Sequence, residues 1–500
     1  MLLLSLGSNR GMSGLSAHSL LTTAPLKAAR RRCVFRLSLW IILCALVFAA
    51  HAQTNYQRIL SFAPSILQGS APRGQLTESS DGFLYGTTYQ GGSNNLGTVF
   101  KIAKNGTGFV RLWSFANAMF PTAGVIEGPG GALYGTSSGG GASNAGTVFR
   151  LEKNGSGFTV LHDFSSFAGD GNTSLGALVV ANGGALYGTT VGGGLSNLGC
   201  IFRLNPDGTG FTNLHNFTGG DGSFPVAGLL LGAGGALYGT TKTGGSNNLG
   251  TVFSMALDGG NYLVLHHFAG KDLGDGSLPL GSLLEAGAGF LYGTTYNGGN
   301  GGDLGTIFKI NTNGTGYAVL HSFQGGASDG SLAVAGLSQV MAGGMLYGTA
   351  PHGGIADGGV VFALDADGGG YTSLHTFNSA GGDGTFPFAT LLAGGDGALY
   401  GSTYFGGIYT TNGTSGVLFR LFSDAPQIRI TSLIPGPAGV ALQFTGAAAG
   451  QTCRIQAVAD PLTGGWLVIG TNSAAIDGTF SFFDAAASNC PARFYRGVSP

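Results

Sequence analysis

The phrase Leu84-Tyr85-Gly86-Thr87 decides the fold, because it comes back. It recurs around Tyr134, Tyr187, Tyr238, Tyr292 and Tyr347, and the series ends, slightly altered, on Leu399-Tyr400-Gly401-Ser402. Successive tyrosines stand 49, 53, 51, 54, 55 and 53 residues apart. A period of roughly 50 residues is the length of one four-stranded propeller blade. Seven copies therefore predict a repeat protein.

The fourth copy displays the grammar on either side of the phrase. Val226-Ala227-Gly228-Leu229-Leu230-Leu231 precedes it, and Gly250-Thr251-Val252-Phe253 and Tyr262-Leu263-Val264-Leu265-His266-His267-Phe268 follow. Each run has strand length, carries β-branched or aromatic residues and is bounded by Gly, Asn or Asp. No stretch of the region repeats with a helical period. The expected fold is all-β: a seven-bladed β-propeller of four-stranded blades over residues 53–422, 28 strands in all.

Connections alternate in kind. Asn105-Gly106, Asn154-Gly155, Asp207-Gly208, Asp258-Gly259, Asn313-Gly314 and Asp367-Gly368 are tight turns whose two central residues tolerate positive φ. Longer loops follow Leu-Tyr-Gly-Thr and Leu-His-x-Phe. In a meander alternate connections share an edge, so both long loops are expected on one face. Crowding near the axis favours small residues, which places the Ala-Gly-Leu run innermost and Leu-His-x-Phe outermost. The chain ends agree with this phase. Ile59-Leu60-Ser61-Phe62 is an outer strand without a blade, and Val417-Leu418-Phe419-Arg420 lacks an outer strand after it. The first is expected to fill the vacancy and close the ring, leaving no open edge. An open solenoid would leave both ends unpaired.

Composition narrows the function classes. Glycine is 96 of 500 residues, but it recurs in register with apolar and aromatic side chains, so the chain can bury a core and is not disordered. Lys plus Arg number 22 and Asp plus Glu 23, which excludes a net field that would draw in nucleic acid or an anionic membrane. Residues 1–52 read as an export leader: Arg30-Arg31-Arg32, an apolar run from Leu37 to Ala50, and Ala50-His51-Ala52 with small residues where a signal peptidase reads. The run is shorter than the roughly 20 residues of a membrane span. The expected location is secreted or in the cell envelope. Residues 423–500 alternate as short strands and predict a small β-sandwich with Trp466 in its core. Once the leader is removed, Cys200, Cys453 and Cys490 remain, and the last two share one segment in which they can pair.

The pattern Leu-Tyr-Gly-Thr-Thr, Gly-Gly-x-Asn, Gly-Thr-Val-Phe, Leu-His-x-Phe resembles the GloVer tandem-repeat family of exported bacterial proteins, over about residues 57–422. The resemblance implies a secreted or surface protein and brings no established catalytic residue. A fainter similarity to kelch-like and lyase-type propellers implies fold alone.

Chemistry has few candidates. His162, His215, His266, His321 and His375 occupy one position of five different blades, so they are expected to be separated and structural. Gly135-Thr136-Ser137-Ser138-Gly139 matches a nucleophile elbow, but no helix follows it. Asp365-Ala366-Asp367-Gly368 matches a turn better than a calcium loop. The ligand-binding candidates are the Asp-Gly loops, with Asp170, Asp221, Asp275, Asp329 and Asp383 expected to ring the long-loop face near the channel. To them are added Lys242, Lys271, Asp303 and His352, which depart from the repeat, and Tyr89 and Tyr296, expected to be exposed near long loops. No catalytic residue, metal site or cofactor is expected. The leading expectation is a monomeric binding module for a polysaccharide or other surface polymer, or a surface protein. The alternatives are a lyase or hydrolase using Asp221, Lys242, Asp275 and His352 at the channel mouth, and a purely structural array.

Overall fold

The structure, a computed structural model, describes residues 54–63, 68–117, 119–165, 169–181, 183–287, 289–340, 344–409, 415–423, 429–436, 439–445, 452–458, 467–473, 475, 479–485 and 494–498. The leader, Trp466 and Cys490 lie outside the described residues, and with Cys490 the proposed pairing to Cys453.

Seven four-stranded antiparallel sheets make a β-propeller, the first six blades each a meander in sequence order. Blade four is typical: Leu230–Leu231, Leu237–Thr241, Thr251–Met255 and Leu263–His267. Blade seven alone draws on both ends of the chain. Its order is Leu392–Ala393, Leu399–Thr403, Val417–Ser423 and then the N-terminal strand Thr54–Ser61, which runs antiparallel to Val417–Ser423.

The repeated phrase fits the second strand residue by residue. Its Leu is buried in the core in all seven copies, from Leu84 to Leu399. Its Gly lies under the Phe of the third strand: a Cβ on Gly239 would overlap the Phe253 ring, and the same holds for Gly86 with Phe100 through Gly401 with Phe419. Its Thr reaches into the next blade. Thr87 Oγ1 donates to the Ala123 carbonyl at 2.8 Å, Thr189 to Ala227 at 3.0 Å, Thr294 to Ala335 at 2.7 Å and Thr349 to Ala389 at 3.1 Å. The phrase recurs because every blade must meet its neighbour in the same way.

First strands converge on the axis. A Cβ on Gly124 would strike the Gln75 backbone, one on Gly176 the Ala227 backbone and one on Gly281 the Ala335 backbone. Main chains of neighbouring blades approach this closely only where the blades converge, which is why the Ala-Gly-Leu run carries small residues. The third-to-fourth strand ladders each contain a bulge, for instance between Val252 and Phe253. The tight turn of the next blade packs against the bulged residue: a Cβ on Gly259 would press on Leu214 and one on Gly314 on Leu265. The turn glycine therefore supplies both positive φ and the room for this contact.

The long loop that enters a blade from the preceding one and the long loop after that blade's second strand lie on one face and pair with each other. Gly171–Asn172 pairs with Gly192–Gly193, Gly276–Ser277 with Asn297–Gly298, Gly330–Ser331 with His352–Gly353, and Gly384–Thr385 with Phe405–Gly406.

Beyond the propeller, two three-stranded antiparallel sheets form from Arg429–Gly436, Gly439–Thr445 and Phe480–Asp484, and from Leu467–Ser473, Thr452–Val458 and Phe494–Val498. Leu442, Phe444, Cys453, Ile455 and Phe480 share one buried cluster, in which the Phe444 and Phe480 rings stack at 4.6 Å.

Candidate functional site

The five loop aspartates and the five repeated histidines meet, but within the seams between blades. His266 Nε2 lies 3.0 Å from Asp275 Oδ2, and the pairs His162–Asp170, His215–Asp221, His321–Asp329 and His375–Asp383 repeat this at 3.0–3.2 Å. An aromatic residue entering the fourth strand of the next blade lies flat on each histidine. Phe211 covers His162, Tyr262 His215, Tyr317 His266, Tyr371 His321 and Tyr56 His375, at 3.6–3.9 Å and within 10° of parallel. Tyr317 donates its hydroxyl to Asp275, and Tyr56 to Asp383 Oδ1 at 2.6 Å. Main-chain N–H groups complete the carboxylates: Ala269 and Gly276 for Asp275, Gln324 and Gly330 for Asp329.

This corrects the expected position of the aspartates. Asp170, Asp221, Asp275, Asp329 and Asp383 are tied to the histidines of the fourth, outermost strand, and Asp275 and Asp383 also to the neighbouring blade, not ranged around the channel. Their environment follows from the contacts. Burial raises the pKa of Asp275, but hydrogen bonds from His266, Tyr317 and Ala269 outweigh it, and the net shift is downward. Asp170, Asp329 and Asp383 are lowered by the same balance. Burial pushes the Tyr56, Tyr317 and Tyr371 hydroxyls well up, with the facing aspartate adding to it. Burial lowers His215, Asp221 opposing it.

Two seams lack the charged set. Between blades one and two Trp113 stacks on Phe158 at 4.4 Å. Between blades seven and one, Leu60 takes the histidine position beside Phe109, and Gln68 Oε1 accepts the Ala63 N–H where an aspartate would.

The remaining nominated residues scatter. Asp303 is not a departure from the repeat. Its Oδ1 accepts the Gly298 N–H, the loop cap that Asn95, Asn144, Asn197, Asn248 and Asp357 supply elsewhere, and all six have positive φ. Lys271 sits in an exposed 3₁₀ turn, Lys271–Leu273. Lys242 is exposed, while Tyr89 and Tyr296 are half-buried, not exposed. These three share one register directly after the second strand, where Tyr404 also stands. His352 Nδ1 lies 3.4 Å from Asp357, and its ring meets the Phe386 edge at 5.2 Å. Among the described residues no three His, Cys, Asp or Glu side chains are grouped as a metal site requires.

What the structure does bring together is an aromatic cluster on the long-loop face across blades seven, one and two. Phe388 and Tyr404 meet edge to face at 5.5 Å, Tyr404 and Phe405 at 4.6 Å, and Phe386 and Phe405 at 5.8 Å. Tyr89 leans on Phe120 at 5.6 Å. All six are half-buried. Exposed Arg73 places its guanidinium 5.7 Å from the Phe388 centroid. Burial raises the Tyr404 pKa, with Arg73 opposing and Tyr89 adding. Of these, sequence reasoning found only Tyr89. Aligning the copies column by column would have exposed the rest. Arg73 stands where the other blades have Thr122, Leu175, Val226, Leu280, Val334 and Phe388.

Comparisons with known proteins bear on the family. No curated protein matches the chain. Similar solved structures include an oligogalacturonate lyase in complex with manganese, 10% identical over 75% of this chain and 94% of that one with a TM-score of 0.44. Another is the extracellular domain of a protein described as a one-component system of B. thetaiotaomicron, 10% identical, covering 87% and 57%, TM-score 0.43. A third is a chain of a nidogen/laminin complex, 16% identical, covering 56% and 90%, TM-score 0.37. The profile of the Gloeobacter/Verrucomicrobia repeat family matches residues 45–183 and 167–343. Those matches take in more than half of the chain, and the protein belongs to the Gloeobacter/Verrucomicrobia repeat family.

Proposed function

We propose that this protein is an exported, monomeric binding module that holds a polysaccharide on the long-loop face of its propeller. The observation that carries the reading is the half-open cluster of Tyr89, Phe120, Phe386, Phe388, Tyr404 and Phe405. Half-buried aromatic rings with hydroxyls beside them offer flat apolar faces for sugar rings and donors for their hydroxyl groups. The loop aspartates, once set aside for the seams, leave this cluster as the best-formed recognition surface.

The supporting frame is part of the same proposal. The pairing of Thr54–Ser61 with Val417–Ser423 supports a ring closed by the N-terminal strand, and the shared cluster of the two C-terminal sheets supports a small β-sandwich over residues 423–500. The leader read in residues 1–52 supports export. Among the described residues no helix is long and apolar enough to cross a membrane.

The test is retention of the purified full-length protein on an array of plant, microbial and animal polysaccharides, beside a Tyr404→Ala variant. Wild type is expected to be held by at least one polymer and the variant at least tenfold less. No retention of folded wild-type protein on any polymer would refute the reading.

A further inference from the structure

Arg73, like Lys101, Lys309 and Arg420, lies against an aromatic ring, and of these four it is the one that stands in the long-loop aromatic cluster. On the short-turn face Lys104 pairs with Glu78 and Lys153 with Glu127, and Arg150 pairs with Glu152. Among the described residues no carboxylate pairs with Arg73, although it is exposed and rests against Phe388. Its register and the two that flank it on the long-loop face hold aromatic residues in quantity: Phe120, Phe224, Phe386, Phe388, Tyr89, Tyr296 and Tyr404. They hold two cations, Arg73 and Lys242, and no Asp or Glu. The aspartates of the neighbouring loops are turned to their histidines.

We propose that the aromatic mouth selects acidic polysaccharide, with the Arg73 guanidinium pairing the carboxylate of a uronic acid whose ring lies against Phe388 and Tyr404. The inference rests on the polysaccharide-binding reading above and adds its specificity-determining residue. A planar guanidinium presents two parallel N–H donors that match one carboxylate, and an aromatic wall on one side holds it in place and limits its hydration. One such cation among rings suits one carboxylate per sugar. A phosphate-rich chain is usually held by a cluster of cations, which this mouth lacks.

Affinity electrophoresis of the full-length protein tests this with four polymers: alginate, its propylene glycol ester, dextran and inorganic polyphosphate. Wild type and Arg73→Gln are compared, with thermal melts as the check on folding. Alginate is expected to be bound about tenfold or more tightly than its ester, a preference that added salt weakens and that R73Q abolishes. Equal binding of alginate and ester, or an R73Q variant that keeps the preference, would overturn the inference while leaving the polysaccharide reading intact. Tighter binding of polyphosphate than of alginate would overturn the assignment to uronates. Failure of folded wild type to bind any of the glycans here or on the array would remove both readings.

Discussion

Thr294 and Ser402 hold the same place in the repeated phrase with opposite results. Thr294 Oγ1 donates to the Ala335 carbonyl of the next blade, whereas Ser402 Oγ is buried and finds no partner among the described residues. A buried hydroxyl without a partner costs about 1–3 kcal/mol, and removing the donor from a made bond costs a similar amount. Thr294→Val is therefore expected to destabilise by about 1–3 kcal/mol and Ser402→Ala to be neutral or stabilising, both readable in denaturant unfolding. Gly239→Ala should destabilise as well, by about 1–3 kcal/mol through overpacking against Phe253. Much of this scale was legible. A Gly at one strand position in seven copies signals a close approach, and the Thr after it signals a shared partner. Arg73 was not legible in the same way, because its meaning lies in how it differs from a column of uncharged residues in other blades.

The element that sequence reading misjudged is the Asp-Gly loop. Asp275 is nine residues from His266 but 42 from Tyr317, which belongs to the next blade, so the network spans three segments that no short motif joins. A one-residue insertion hid Asp303: the blade-five loop is one residue longer than the first, which moved its cap out of the aligned column. Asp275→Asn is expected to cost on the order of 2–4 kcal/mol, since it weakens charged hydrogen bonds to His266, Tyr317 and two backbone donors together. The pH dependence has a definite sign. Asp170, Asp275, Asp329 and Asp383 have folded-state pKa values below the ordinary 3.8, so the fold favours their ionised forms. Their stabilisation is complete above the unfolded value and lost as pH falls below 3.8 through the folded values. Thermal melts should therefore fall steeply below about pH 4, and D275N should show a shallower fall than wild type. An identical slope in the two proteins would count against the network.

At the scale of the whole molecule, the proposed closure of the ring rests on the pairing of Thr54–Ser61 with Val417–Ser423. Tyr56 performs for the last seam what Tyr317 and Tyr371 perform within the array, at a separation of 327 residues from Asp383. Removal of residues 54–61 would leave Val417–Ser423 as an open edge, and such edges template association. The truncated protein is expected to melt lower and to form oligomers in light scattering. A monomer with unchanged melting would contradict the closed ring. The proposed function divides labour: His–Asp–aromatic seams join the blades, and ligand binding is assigned to the aromatic mouth. Polysaccharide-array binding of Asp275→Asn beside Tyr404→Ala, below both melting temperatures, tests it most directly. The account predicts that D275N keeps the wild-type binding profile although it is less stable, while Y404A loses it although it is folded. Loss of binding in folded D275N with retention in Y404A would contradict it.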